Sequence, residues 1–274
     1  MIHKSPQAEL ESRLALNRVM GGNRNRDLTE QESEKNIVDN LVVVVGFDGI
    51  NERLADGSVK MEGKGVGTGL RLTTDGFILT AYHNIQAYED DWRRINAENP
   101  ATEAIIHSWM EYMKMRYAVV DQRRNVYPID TNFWATNPAL DIALIKAVIL
   151  EKPEPIDFRL VTGDLEVGDE IKLLGLRDRI PYNQYGKVVS ASRDAPINHA
   201  ETGELVSTTY DTFLTDACGI PGFSGGVFTN LRGEFAGLAL YIQRNGNEQI
   251  GHASGAKAKN IVNLVKESAY ELNK

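Results

Sequence analysis

The sequence contains a single cysteine, Cys218, among 274 residues, so it cannot form an internal disulfide. Secreted enzymes of similar size usually carry several disulfides, and we therefore expect this chain to work in a reducing compartment, the cytoplasm. Long apolar runs are also missing, because residues 41–45 have only the length of a strand. Near the N-terminus, residues 14–16 are too short and too closely flanked by polar residues to form the apolar core of a secretory signal.

Basic residues are too few and too scattered to form a binding surface for nucleic acid. The 38 acidic residues outnumber the 30 basic ones, which gives a formal net charge of −8. The pairs Arg93-Arg94 and Arg123-Arg124 are short and are typical of solvated surface. The sequence also shows no cluster of metal ligands. We therefore expect neither nucleic acid nor a membrane as a partner, and neither a metal nor a cofactor.

Short apolar runs separated by glycine and aspartate predict an all-β protein of the barrel type. Asp75-Gly76 between two of these runs is typical of a hairpin turn. Pro153-Glu154-Pro155 divides the runs into two sets and predicts a bridge between two lobes. The predicted strands are residues 41–47, 65–72, 77–80, 117–121, 126–129 and 142–147 before the bridge, and 170–176, 187–191, 208–215, 226–229, 235–241 and 249–253 after it.

The two ends of the chain have helical patterns. The polar residues 1–38 predict two short helices, the second begun by a capping box, Thr29-x-x-Glu32. We expect this part to be an extension without chemistry. Residues 258–272 predict an amphipathic closing helix.

A third helical pattern interrupts the first set of strands. Residues 86–115 place Trp109, Met110 and Met113 on one stripe at helical spacing. We expect this insertion to pack on the first lobe. The pattern leaves open two other roles, a lid or a docking face for a partner protein, because methionine and aromatic surfaces suit adaptable binding.

Three short motifs contain the residues of an activated nucleophile. Ser224 is the centre of GFSGG (222–226), His83 ends LTAYH (79–83), and Asp141 opens DIAL (141–144). A serine hydroxyl is a poor nucleophile at neutral pH, so it needs a base within reach, and the base needs a third group to hold its tautomer. The motifs therefore favour an acyl-transfer enzyme with Ser224 as nucleophile, His83 as general base and Asp141 as orienting acid. Asp216, in TDA (215–217), is the alternative acid.

These motifs resemble those of the trypsin/chymotrypsin-like serine peptidases, and within them the HtrA (Deg) branch. TAYH (80–83) is similar to that family's T-A-A-H or T-N-x-H box, and DIAL is similar to its D-I-A-L box. TDA followed by GFSGG resembles T-D-A…G-N-S-G-G, and weaker similarity spans residues 41–264. We find no segment that matches the PDZ module usual in the HtrA branch, and we expect a peptidase domain without one.

The resemblance implies two antiparallel six-stranded β-barrels with the active site in the cleft between them. The first barrel would take residues 39–152, including the insertion at 86–115, and the second would take residues 153–274, including the closing helix. The backbone N–H groups of Gly222 and Ser224 would form the oxyanion hole. The primary specificity pocket would be framed by Cys218, Gly219, Ile220, Leu240, Tyr241 and Ile242.

None of these pocket residues carries a charge. A charged substrate side chain would be desolvated there without a partner, so we expect cleavage after small aliphatic residues such as Val or Ala, with Ile242 narrowing the mouth. Cys218 would be a small buried apolar side chain on the pocket floor or, alternatively, a redox switch. The protein or peptide substrate would pair in extended form with residues 238–241.

Phe223 departs from the family pattern. Trypsin-like zymogens have an aspartate before the serine that captures a newly cut N-terminal amine, and HtrA-type enzymes have asparagine there. Phenylalanine cannot bind an amine, so we expect it to pack under the oxyanion loop or to mark a switchable loop. The sequence predicts a serine endopeptidase that needs no N-terminal cleavage. The alternative is a catalytically silent peptide-binding or scaffold protein of the same fold.

Overall fold

The computed structural model describes residues 6–19, 28–47, 52–53, 59–60, 63–85, 117–177, 179–198, 205–220, 222–243 and 251–271. The predicted insertion at 86–115 lies outside these ranges. The described strands form two closed antiparallel barrels of six strands each, so the predicted fold class is confirmed. Within the same ranges, no helix is long and apolar enough to cross a membrane.

The first barrel uses six of the eight described strands that precede residue 150. These strands are β1 Leu41–Phe47, β2 Glu52–Arg53, β3 Val59–Lys60, β4 Gly63–Arg71, β5 Phe77–Ala81, β6 Tyr117–Val120, β7 Val126–Asn137 and β8 Ile142–Ala147. The barrel order is β1-β4-β5-β8-β7-β6, and β2 pairs separately with β3. Alternate apolar residues such as Val42, Val44 and Ile78 fill its interior.

The hairpin between β4 and β5 is formed at the predicted Asp75-Gly76 turn. Gly76 has a φ of +105°, and a Cβ there would lie 2.4 Å from the Ala147 carbonyl oxygen on β8. Only glycine fits this position, because it tolerates the positive φ and has no Cβ to collide with that oxygen. This turn therefore closes β5 against β8, the two strands that carry the histidine and aspartate motifs.

The second barrel is made by the remaining strands. They are β9 Glu170–Arg177, β10 Ile180–Asn198, β11 Leu205–Gly219, β12 Val227–Asn230, β13 Phe235–Gln243 and β14 Gly251–Lys257. Their order around the barrel is β10-β11-β14-β13-β12-β9. Phe213 and Phe228 meet edge-to-face in its interior, with ring centroids 5.0 Å apart.

Three helices pack on a core that both barrels share. They are α1 Pro6–Val19, α2 Glu30–Asp39 and α3 Ala258–Glu271. This core joins fully buried leucines of the first barrel, such as Leu70 and Leu79, with Leu238 and Leu240 of the second. The helices add the buried side chains Leu16, Val19, Ile37, Ile261 and Val265. Residues 1–38, expected as an extension, thus contribute two helices to the packing between the barrels.

Candidate active site

His83 lies where β5 leaves the first barrel. Strand pairing aligns Ala81 with Ile142, so the residues that follow β5 and precede β8 are neighbours. The short 3₁₀ helix Tyr82–Asn84 begins there and turns the chain. The Tyr82 N–H donates to the Asp141 carbonyl oxygen at 3.0 Å, which fixes the two motifs to each other before any side chain is considered.

Asp141 follows a second 3₁₀ turn and has a left-handed backbone, with φ 53° and ψ 39°. Aspartate tolerates this conformation better than most residues, because its short polar side chain forms local hydrogen bonds. Its carboxylate is 1% exposed and accepts two hydrogen bonds from His83. One comes from the backbone N–H at 2.9 Å and the other from Nδ1 at 2.8 Å. The carboxylate therefore holds both the position and the tautomer of the imidazole.

Ser224 comes from the other barrel, on the tight turn between β11 and β12. The turn is closed by a hydrogen bond from the Gly226 N–H to the Phe223 carbonyl at 2.8 Å. Gly225 has a φ of +81°, and a Cβ there would lie 2.0 Å from the Thr68 carbonyl oxygen. Glycine at this position lets the turn approach the first barrel closely.

The three predicted side chains form one hydrogen-bonded chain across the cleft. The Ser224 hydroxyl contacts Nε2 of His83, whose Nδ1 bonds Asp141. The same hydroxyl also lies 2.6 Å from the Leu240 carbonyl oxygen. Because a hydroxyl has one proton, it donates to one of these acceptors at a time. In the orientation towards His83, the proton lies on the path to the base.

The environment of His83 raises its pKa. Burial alone would lower the pKa of the imidazole, but the charge of Asp141 and the hydrogen bond to it outweigh burial and raise the pKa above its usual 6.5. The side chain keeps 29% of its surface exposed. His83 is therefore a stronger base than a free imidazole and remains accessible from the cleft.

The backbone at Gly222 and Ser224 offers two hydrogen-bond donors. Among the described residues, neither N–H group has an acceptor. Gly222 has a φ of +96°, a conformation that favours glycine. Unpaired N–H groups on both sides of Phe223, beside the serine hydroxyl, are what an oxyanion hole requires.

The first barrel holds this turn through two residues that the sequence analysis missed. The Thr68 N–H and the Asn84 side-chain amide donate to the Ser224 carbonyl oxygen at 2.7 and 3.0 Å. The Thr68 hydroxyl donates to the Gly222 carbonyl oxygen at 2.7 Å. Asn84 directly follows His83, and the glycines around Thr68 allow close approach. These two features of the sequence could have pointed to Asn84 and Thr68 as residues that hold the turn.

Phe223 packs under the turn, as one of the two sequence-based alternatives expected. It is 2% exposed and belongs to the core of the second barrel with Leu173, Phe213 and Phe228. A Cβ at Gly175 on β9 would lie 2.8 Å from its ring, so the ring rests directly on that strand. Burial of the Phe223 ring therefore anchors the turn to the second barrel, where trypsin-like zymogens have an aspartate that binds an N-terminal amine.

The described residues of the predicted specificity pocket range from exposed to fully buried. The Cys218 side chain is exposed, so the expectation that it is buried is wrong; β11 ends at Gly219 and leaves it at the surface. Gly219 is buried and Ile220 is partly buried against the second barrel's core. Leu240 is fully buried between the barrels, and its carbonyl faces Ser224. The side chains of Tyr241 and Ile242 lie outside the description.

The structure does not bring the alternative acid to the site. Asp216 is exposed, and its carboxylate accepts a hydrogen bond from the Lys187 backbone at 2.5 Å. The described residues also contain no group of three or more His, Cys, Asp and Glu side chains that could hold a metal ion.

Comparisons with known proteins agree with the fold. The family model of the trypsin-like peptidase domain matches residues 67–238, more than half of the chain. Among solved structures, the fold is similar to that of the HtrA-type protease AlgW with decapeptide, with a TM-score of 0.58 and 12% sequence identity. The match covers 88% of this chain and 67% of AlgW. A comparison with curated proteins finds no match. The matched span contains all three motifs, and the chain belongs to the trypsin-like peptidase domain family.

Proposed function

We propose that this protein is a serine endopeptidase that works through an acyl-enzyme intermediate. The observation that carries the proposal is the hydrogen-bonded chain from Ser224 through His83 to the buried Asp141. Nucleophile, base and orienting acid in this relation are the parts that activate a serine hydroxyl.

In the first half of the reaction, Ser224 Oγ attacks the substrate carbonyl carbon while His83 Nε2 takes the hydroxyl proton. Asp141 stabilises the imidazolium that results, without itself being protonated. The N–H groups of Gly222 and Ser224 bind the oxygen that becomes negative. His83 then gives the proton to the leaving amine, and the C–N bond breaks. In the second half, water attacks the ester with His83 again as base, and Ser224 is released.

The substrate strand would lie against β13. Pairing between β12 and β13 ends at Leu238, whereas β14 pairs with β13 as far as Gln243. Ala239 also bonds Gly225 and Gly226, so residues 238 and 239 of the predicted substrate-pairing stretch 238–241 are already paired. Within the described residues, the edge of β13 from Tyr241 onward has no strand partner on the β12 side. An extended peptide adds to such an edge through main-chain hydrogen bonds, which suits a substrate read largely by its backbone.

Replacing the nucleophile tests the proposal directly. Ser224→Ala should lower kcat for labelled casein by about 10⁶-fold while fold and peptide binding remain, because only one hydroxyl is lost. His83→Ala should cost a comparable factor, and the two losses should not add, since the residues act as a unit. Ser192→Ala is the matched control, because Ser192 is an exposed serine that bonds Asp211 far from the turn.

A fluorophosphonate probe separates the enzyme from the alternative, a silent peptide-binding protein of the same fold. The wild-type protein should be labelled at Ser224, and Ser224→Ala should not. A casein cleavage rate in Ser224→Ala within tenfold of the wild-type rate would refute the assignment of the nucleophile.

A further inference from the structure

The Thr68 hydroxyl bridges the two barrels at the base of the turn. Thr68 lies on β4 and is fully buried. Its Oγ1 is 3.0 Å from the Leu176 backbone nitrogen on β9 and 2.7 Å from the Gly222 carbonyl oxygen. Because the Leu176 N–H can only donate, the hydroxyl proton is left for Gly222. The direction of this hydrogen bond is therefore fixed by the two barrels together.

This bond restrains the peptide plane that follows Gly222. The plane is held at one end by the Phe223 N–H, which donates to the Ile220 carbonyl at 3.1 Å. The other end is held by Thr68 through the Gly222 carbonyl. Gly222 has no side chain to restrict its rotation, and a Cβ there would meet only the Leu176 carbonyl oxygen, at 3.3 Å. The Gly222 N–H belongs to the preceding peptide plane, which meets the plane held by Thr68 at the Gly222 Cα. Thr68 therefore restrains that Cα and one of the two planes whose relative rotation sets the direction of the N–H.

The other donor of the candidate oxyanion hole does not depend on the Thr68 hydroxyl. The Ser224 N–H belongs to the peptide whose carbonyl, on Phe223, accepts from Gly226. The Ser224 carbonyl is held by backbone and amide donors, the Thr68 N–H and the Asn84 side chain. Removing only the hydroxyl of Thr68 should therefore disturb one donor of the pair.

We propose that Thr68 is a positioning residue that aims the Gly222 N–H at the developing oxyanion. The proposal rests on the peptidase function proposed above. Thr68 does not touch the substrate, so its effect should appear in the transition state, where the oxyanion forms, and not in substrate binding. A buried threonine with a purely structural role would lower stability without separating kcat from KM.

Two substitutions separate the hydroxyl from the bulk of the side chain. Thr68→Val keeps the shape and removes the hydroxyl, and we expect kcat for p-nitrophenyl butyrate to fall about 10²-fold with KM little changed, the loss typical of one oxyanion donor. Inhibition by phenylboronic acid, which forms a tetrahedral adduct with a serine, should weaken in parallel. Thr68→Ser keeps the hydroxyl and should stay within about threefold of the wild-type kcat.

Thr229→Val is the matched control. Thr229 is also a fully buried strand threonine, but within the described residues its hydroxyl has no hydrogen-bond partner. Its loss should leave kcat, KM and boronate binding unchanged. If Thr68→Val does not fold, Thr68→Ala provides the second variant without a hydroxyl.

The outcomes separate this proposal from the function on which it rests. A wild-type protein that neither hydrolyses the ester nor reacts with fluorophosphonate would refute the peptidase function. An active wild type with a folded, hydroxyl-free Thr68 variant of equal kcat would overturn only the role of Thr68. A Thr68→Ser variant as slow as Thr68→Val would overturn it too, because the hydroxyl would then not be the group that matters.

Discussion

Asp141 combines a left-handed backbone with a nearly inaccessible carboxylate. Such a group is retained in a protein only when its charge is compensated, and here the two donors are the N–H and Nδ1 of His83. The backbone conformation turns the side chain towards the residue that follows β5. The charge and tautomer of the base are therefore set by one neighbouring residue.

Asp141→Asn should change both the rate and its pH dependence. Asparagine tolerates the same backbone but lacks the charge, and we expect kcat to fall on the order of 10⁴-fold, the loss typical of such triads. His83 must be neutral to act as base, so wild-type kcat/KM should rise with pH through a midpoint above 6.5. Since Asp141 raises that pKa, the midpoint should move to lower pH in the variant. Ester hydrolysis followed from acid to alkaline pH measures both effects.

Asp216→Asn is the control for this experiment, because Asp216 is an exposed carboxylate bonded to Lys187. Its pH profile should match that of the wild type. A midpoint that stays in place in Asp141→Asn would show that another group sets the pKa of His83.

At the residue scale, the sequence predicts the triad but not what holds it. Ser224, His83 and Asp141 stand in recognisable local motifs, and the structure brings their side chains together. Thr68 and Asn84 contact Ser224, which lies 156 and 140 positions further along the sequence. Such contacts exist only once the barrels meet. A local pattern therefore could not reveal them.

Helix α1 is fastened to the first barrel by a buried polar cluster. The Ser12 hydroxyl donates to the Asp75 carboxylate at 2.5 Å, and Lys146 on β8 donates to the same oxygen at 2.6 Å. Burial alone would raise the pKa of Asp75, but Lys146 and the hydroxyls of Ser12 and Thr73 lower it below its usual 3.8. The ionised carboxylate therefore stabilises the docked helix, and this contribution is lost only as the pH falls through the lowered pKa.

Ser12→Ala should reduce the free energy of unfolding by about 1–2 kcal/mol, since a hydrogen bond to a buried charge is lost. Asn17→Ala, an exposed change on the same helix, should cost much less. Urea denaturation of both variants measures the difference. Equal stability of the two variants would mean that Ser12 does not fasten the helix.

At the element scale, strand positions follow from the sequence better than strand lengths. β1 and β8 begin and end as predicted. Polar residues bound the apolar run of β1 on both sides, and Asp141 marks the start of β8. β10 and β11 extend well beyond the predicted runs, to 19 and 15 residues. Their extra length pairs residues such as Ile197 and Ser207, where hydrophobic alternation gives no signal. The pair β2–β3 was missed for the same reason.

The whole molecule places His83 and Asp141 in one barrel and Ser224 in the other. Hydrogen bonds from Thr68 and Asn84 and the buried ring of Phe223 hold the turn of Ser224 in the uncut chain. None of these contacts involves an N-terminal amine released by proteolysis. The arrangement supports the prediction that activity does not depend on proteolytic activation.

The intact chain of 274 residues should therefore react with fluorophosphonate without losing N-terminal residues. Mass spectrometry of the labelled protein checks the mass of the whole chain and the site of labelling together. Because Cys218 is the only cysteine, the reaction should proceed equally in reductant. Labelling that appears only in shortened chains would contradict the prediction. The cytoplasmic location expected from the cysteine content stays a prediction.

The division of the site between two barrels also has a consequence for synthesis of the protein. A ribosome completes His83 and Asp141 first, and Ser224 follows 83 positions after Asp141, as the residue numbers show. Helix α3, which packs on the core between the barrels, follows Ser224 in the chain. A chain that ends between Asp141 and Ser224 thus contains His83 and Asp141 but no Ser224. Such unfinished chains would lack the nucleophile of the proposed peptidase and should not cleave peptide bonds.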